Sequence, residues 1–244
     1  MTGRKFHQVE NFHFKSIFTF YSRIYTCYVL ISRKIIAEAR LLAEKELGSD
    51  TSGHGWFHAK RVAETARKIA CQEGADPDVC EIAGLFHDIP DDKRGINEQE
   101  QIRMLKEWFE MNGVDNQNSS WVLGIISTMS LRGGNNPPMS TKEGEVVQDT
   151  DRLDAIGAIG IARTFAYSGH IGQKIYDPEI PARDSISMEE YRNGTSTAIN
   201  HFYEKLMKLR GFLNTETARR MALERQELME KFLEQFFMGW NSEI

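Results

Sequence analysis

Three cysteines in 244 residues are too few for a disulfide framework. Cys27, Cys71 and Cys80 form no CxxC pair, which also argues against a zinc ribbon, and a reducing cytoplasmic setting fits them. Excess basic charge is missing too. Thirty Lys and Arg against 35 Asp and Glu leave a net charge of -5 spread along the chain, without the basic footprint of a nucleic-acid polymer binder. No apolar run suits a membrane span, since the stretch from Ser16 to Ser32 is short and interrupted by Arg23. No segment alternates apolar and polar residues as a strand does, and there is no G-x-x-x-x-G-K-[ST] phosphate loop.

Acids are nearly absent from the first 34 positions, where Glu10 stands alone among basic, aromatic and β-branched residues. The composition shifts near Lys34, so residues 1–33 are read as an extension and residues 34–240 as one domain. The extension lacks the apolar core and cleavage site of a secretory signal, and is poor in Arg and Ser for a transit peptide. A dispensable or mis-assigned start, targeting and surface anchoring all stay open. No methionine falls between Met1 and Met104, so a later start would need a non-standard codon.

What is present is helical periodicity. Ile35, Ile36, Ala39, Leu42 and Ala43 mark one helix ended by Gly48; Val62, Ala66, Ile69 and Ala70 mark a second ending near Gly74. Asp76 before Pro77 starts a third, running into LFHD. EQEQIRMLKEWFEMNG, SSWVLGIISTMS and KEGEVVQDTDRLDAIGAIGIARTFAYSG continue the series, and patterns from Met188 to Arg210 and from Thr215 to Trp240 close it. The fold expected is all-α. Segments 132–141 and 168–185, rich in Gly and Pro, read as loops and as the place for substrate specificity. Phe202, Phe212, Phe232, Phe236, Phe237 and Trp240 sit at helical spacing and read as core or an oligomer face.

The chemistry-bearing residues recur in order. His54 and His58 lie four apart, with Arg61 one turn on; His87 and Asp88 end an apolar helix; Asp149, Asp151 and Asp154 interrupt a later one. Imidazoles and carboxylates converging from separate elements suit a divalent ion such as Mn, Fe, Co, Ni, Zn or Mg, and buried carboxylates require partners or a cation. Taken singly, each has a plainer reading: His-Asp as a capping pair, Asp151 as an ion-pair partner of Arg152 or Arg163, Asp91-Asp92-Lys93 as a solvated capping turn.

HAKRVAETA, LFHDIPDDK and VVQDTDRLDAIGAIGIAR together resemble the HD-domain superfamily of metal-dependent phosphohydrolases over about Lys34 to Trp240. The last stretch is especially similar to a bacterial and fungal subgroup carrying D-x-D-R-L-D-A-I-G. The resemblance implies a helical bundle with a metal site between helices, held by His58, His87, Asp88 and Asp151. Asp151 is preferred to Asp149 because the family's last ligand has an aliphatic residue two positions on, here Leu153. Relatives with two metals carry extra histidines before the final aspartate; none lies between His87 and His170, so one divalent ion is expected.

The implied reaction is hydrolysis of a small phosphorylated metabolite, with nucleotides among the candidates. Asp91 or Asp92 would accept a proton, Asp91 matching a carboxylate that related HD nucleotidases place three residues after the HD aspartate. Lys93, Arg61 or Arg132 would hold phosphate, and His170 would face substrate. His54 is open between extra ligand, phosphate contact and orienting group, with the last preferred. Arg152, Asp154 and Arg163 read as an ion-pair network supporting Asp151. The alternative function is a metal-containing regulatory domain that binds a phosphorylated ligand without turnover.

Overall fold

A chain whose apolar residues recur every three to four positions satisfies its backbone within helices, and the starts of those helices then need capping. The computed structural model describes residues 31–50, 53–90, 97–129, 138–183 and 195–243. Most of the expected extension, together with Asp91, Asp92, Lys93 and Arg132, lies outside the described residues. The helices are α1 (Arg33–Leu47), α2 (Trp56–Glu73), α3 (Pro77–Phe86), α4 (Glu98–Met111), α5 (Asn116–Thr128), α6 (Lys142–Asp154), α7 (Gly157–His170), α8 (Ala198–Glu204) and α9 (Glu216–Trp240). A 3-10 segment, Leu206–Phe212, precedes α9, and no strand occurs among the described residues. The fold is all-α.

Side-chain oxygens of Ser32, Asp76, Asn97, Asp115, Thr141, Thr197 and Thr215 cap seven of these helices by accepting from first-turn amides. Only α2 and α7 start without one, at Gly55 and Ile156. Ile31, 6% exposed, and the Ser32 cap already belong to the helical unit.

The short helix α3 is buried continuously from Val79 to Phe86, as an all-round apolar helix must be, and α2 and α6 pack against it. Its one buried acid, Glu81, is answered by Arg40 at 2.6 Å and Arg67 at 3.0 Å. Gly84 lets α3 approach α2, for a Cβ there would lie 2.8 Å from Ala63 Cα and 3.0 Å from Ala63 N. This crossing falls between His58 and His87 in the fold, five residues after the first and three before the second. The interhelical spacing at Gly84 therefore helps set the distance between the two imidazoles.

Two expected helices differ. The stretch Lys142–Gly169 breaks after Asp154: Ile156 is extended and Gly157 has φ +75°, a conformation that favours glycine. Its apolar periodicity conceals the turn. The pattern expected from Met188 to Arg210 is replaced, in its described part, by α8 and the 3-10 segment. Thr197 starts a helix by capping Asn200, and Lys205, at φ -136° and ψ -60°, ends it. The loop expected from Ser168 begins only after His170.

Phe202 is fully buried and stacks on Phe232 at 5.6 Å, while Phe236, Phe237 and Trp240 surround Tyr176. Phe212 and Trp240 are exposed. Among the described residues, Cys71 and Cys80 are free thiols and no helix is long and apolar enough to cross a membrane.

The same substitution at two helical glycines separates packing from propensity. Gly84→Ala should cost about 1–3 kcal/mol, by pushing α3 off α2. Gly124→Ala, where an added Cβ meets nothing within 4 Å, should stabilise by about 0.5–1 kcal/mol. Urea denaturation of both variants reads the contrast, and equal effects would refute the tight α2–α3 crossing.

Candidate metal centre

His58 projects from the first turn of α2, His87 and Asp88 follow α3, and Asp151 lies in the last turn of α6. His58 Nε2 is 3.1 Å from His87 Nε2, 3.3 Å from Asp88 Oδ2 and 3.4 Å from Asp151 Oδ1. His87 Nε2 is 3.3 Å from Asp88 Oδ1 and 3.9 Å from Asp151 Oδ1. A divalent ion with donors at about 2.0–2.2 Å places neighbouring donors about 3 Å apart, the scale of these separations.

The other ring nitrogens decide which atoms face the centre. His87 Nδ1 is 2.8 Å from the Gly84 carbonyl, which only accepts, so Nδ1 carries a proton and Nε2 of the neutral ring offers a lone pair. His58 Nδ1 is 2.6 Å from Asp154 Oδ2. Arg61 grips that same carboxylate through Nε at 2.8 Å and Nη2 at 2.9 Å, and Arg163 adds a third contact at 3.0 Å. Despite burial, Arg61, His58 and Arg163 hold Asp154 below the usual carboxylate range, so it accepts from His58 Nδ1. Once His58 Nε2 gives up its proton, as metal binding requires, the two imidazoles would aim lone pairs at each other, beside carboxylate oxygens. Among the described residues, Asp88 Oδ2 is buried without a hydrogen-bond partner. Such an arrangement requires positive charge at its middle.

The ionisation of each group agrees. Burial opposes charge on His58, yet Asp151, Asp154 and Asp88 outweigh it and push its pKa up to about 10. Burial likewise works against charge on Asp88 and Asp151, but the facing imidazoles, His87 and His54 with His58 for the first and His58 with His87 for the second, hold both below the ordinary range. Below pH 10 the pocket thus keeps a proton on His58 unless a metal cation replaces it. The donor set of imidazoles and carboxylates fits a divalent ion at His58, His87, Asp88 and Asp151.

The three acids of α6 part ways. Asp149 is fully buried and accepts from Asn214 N, Asn214 Nδ2, Thr215 N and Thr215 Oγ1 at 2.7–3.0 Å, so it anchors the start of α9 away from the imidazoles. Asp151 faces the imidazoles. Asp154 orients His58, a direct role that sequence reading assigned only as support for Asp151. Arg152 does not join that network: it donates to the Phe212 carbonyl and lies 3.9 Å from Asp149.

Arg61, one of the three residues read as phosphate contacts, binds Asp154, because three residues along α2 from His58 its guanidinium reaches the carboxylate that also holds that histidine. His54 lies just before α2, 3.5 Å from Asp88 Oδ2 and 3.2 Å from Arg163 Nη2. It can join His58 and Asp88 in a ligand group, and its ring meets Tyr167 edge-on at 6.3 Å. His170 is exposed at the end of α7 and has no described contact with this set. Tyr167 and the Gly84 carbonyl escaped sequence reading; no spacing rule singles out either.

Metal affinity should rise with pH from neutrality towards 10, as the proton on His58 competes with the ion, and uptake near pH 7.5 should release about one proton. Calorimetry in two buffers of different ionisation enthalpy counts that proton, and zero release would contradict the raised pKa. Asp154→Asn should weaken metal binding by about 10- to 100-fold. Asp149→Asn should cost about 1–3 kcal/mol of folding stability with metal affinity retained, as titration and urea denaturation of the pair would show.

The family model of the HD domain matches residues 55–156, a span that contains all four converging residues. The chain is 36% identical over 201 residues to the uncharacterised Bacillus subtilis protein YpgQ, covering 81% of this chain and 90% of that one. A crystal structure of YpgQ in complex with ADP matches with TM-score 0.65 and 33% identity, over 82% of this chain and 95% of that one. A Lactobacillus plantarum protein aligns at TM-score 0.78 and 40% identity, over 88% of this chain and 100% of that one. An HD-superfamily hydrolase from Bacillus thuringiensis aligns at TM-score 0.68 and 39% identity, over 86% and 99% respectively. With the fold, the ordered His, His-Asp and Asp positions and these relatives in agreement, the chain belongs to the HD-domain superfamily of hydrolases.

Proposed function

We propose that this chain is a metal-dependent phosphohydrolase releasing phosphate from a small phosphorylated metabolite, with one divalent ion at His58, His87, Asp88 and Asp151. The observation that carries the reading is the pair of imidazole nitrogens 3.1 Å apart, flanked by carboxylates and demanding a cation. Side-chain exposure rises from 1% at His58 and 3% at His87 to 18% at Asp88 and 41% at Asp151, so the centre opens on the Asp151 side. When bound, the ion supplies Lewis acidity, neutralising charge on a phosphoryl group and acidifying water.

The chain's own residues account for the rest. Asp154, held by Arg61 and Arg163, keeps His58 in one tautomer and one orientation. His54, placed beside Asp88 and Arg163 just before α2, is a proposed phosphate contact. Asp91 or Asp92, three and four residues after Asp88, is the proposed proton acceptor, and Lys93 and Arg132 the proposed phosphate contacts. His170 is proposed on the substrate side at the end of α7. The ADP seen with YpgQ makes nucleotides the first substrate class to test.

Metal-stripped protein reloaded with Mn, Co, Ni, Fe, Mg or Zn should release phosphate from some member of a panel of nucleotides and sugar phosphates. Asp88→Ala should lower that rate by at least about a hundredfold. A folded, metal-loaded protein inert towards the whole panel would instead favour a regulatory domain that binds without turnover.

A further inference from the structure

Beyond His58, the face of α2 carries Arg61, Glu64, Thr65 and Lys68 at helical spacing. These residues form one wall of a cleft of about 550 Å³, closed by the α6–α7 turn and by α9. None of His54, His58, His87, Asp88 and Asp151 lines it, whereas Arg61 and Asp154, which hold His58, do. Its volume is that of a small-molecule pocket, which is commonly about 300–1,000 Å³.

Three cations, Arg61, Lys68 and Arg225, and three acids, Glu64, Asp154 and Glu224, line the cleft, and what sets them apart is which are already engaged. Asp154 is shared by Arg61, Arg163 and His58, and Glu64 is engaged by Arg40 and Lys60. Lys68 and Arg225 also line the cleft, and among the described residues neither pairs with a carboxylate. Among the described residues, Arg225 donates to the Leu153 carbonyl. Burial lowers the pKa of its guanidinium and nearby Asp154 only partly offsets this. Against these two cations stands one uncommitted acid, Glu224. Beside them, Ile159 and Leu228 line the cleft while 44% and 43% exposed, leaving apolar surface uncovered.

We propose that this cleft is a second binding site, separate from the metal centre, for a small organic monophosphate. Its phosphate would sit between Lys68 and Arg225, and its apolar or planar body against Ile159 and Leu228. Two cations suit one phosphate group, while Glu224 and Glu64 at the rim accept hydroxyl or amine donors and disfavour a polyphosphate. This inference does not rest on the proposed hydrolysis.

The test uses AMP as probe and full-length Asp88→Ala protein in EDTA, which removes the metal's contribution to binding. Isothermal titration should give one saturable AMP per chain, bound at least about tenfold more tightly than inorganic phosphate, which lacks the apolar body. Adding Lys68→Glu or Leu228→Glu, both exposed positions whose replacement leaves the fold intact, should each weaken AMP by about tenfold or more. Absence of saturation up to about 10 mM AMP, or affinity unchanged by Lys68→Glu, would overturn the site.

Discussion

The hydrogen bond between His58 Nδ1 and Asp154 Oδ2, 2.6 Å long and fully buried, is the interaction on which the rest of the centre depends. It joins the first turn of α2 to the last turn of α6, and so fixes the separation of two elements that each supply a donor to the middle. It also settles a chemical question, since a ring bonded through Nδ1 can present only Nε2 to a partner. Arg61 and Arg163 keep the carboxylate charged, and Arg163 passes its influence on to His54. Four side chains, His58 and Arg61 of α2, Arg163 of α7 and His54 before α2, are thereby held relative to one another by a single aspartate of α6.

Buried charge elsewhere follows the same logic. Glu81 would be untenable inside α3 without Arg40 and Arg67, and Asp149 would be without the amides at the start of α9. The imidazole cluster is the exception, where the nearby groups are mostly acceptors. That contrast marks it as a site rather than a strut.

Much of this was legible in the sequence because the signals are local. The start of α3 follows from Asp76 before Pro77, while the preference for Asp151 over Asp149 rests on the family resemblance, whose last ligand has an aliphatic residue two positions on. What was not legible depends on the third dimension. Arg61 shares a face of α2 with His58, but spacing does not tell whether its guanidinium turns to substrate or to a carboxylate 93 residues away. Gly157 sits in an apolar repeat whose period continues across the break, so only its backbone angle reveals the turn. Thr197 similarly starts a helix inside what reads as one continuous pattern.

The divergent aspartates of α6 have a consequence for how the protein comes apart. Within six residues this helix anchors α9 through Asp149, faces the imidazoles through Asp151 and orients His58 through Asp154. If α9 peeled away, the buried Asp149 carboxylate would lose its donors, and Arg225 would leave the carbonyl of Leu153, between Asp151 and Asp154. The first half of α9 is therefore coupled through α6 to the metal centre, so that loosening the one should be felt at the other.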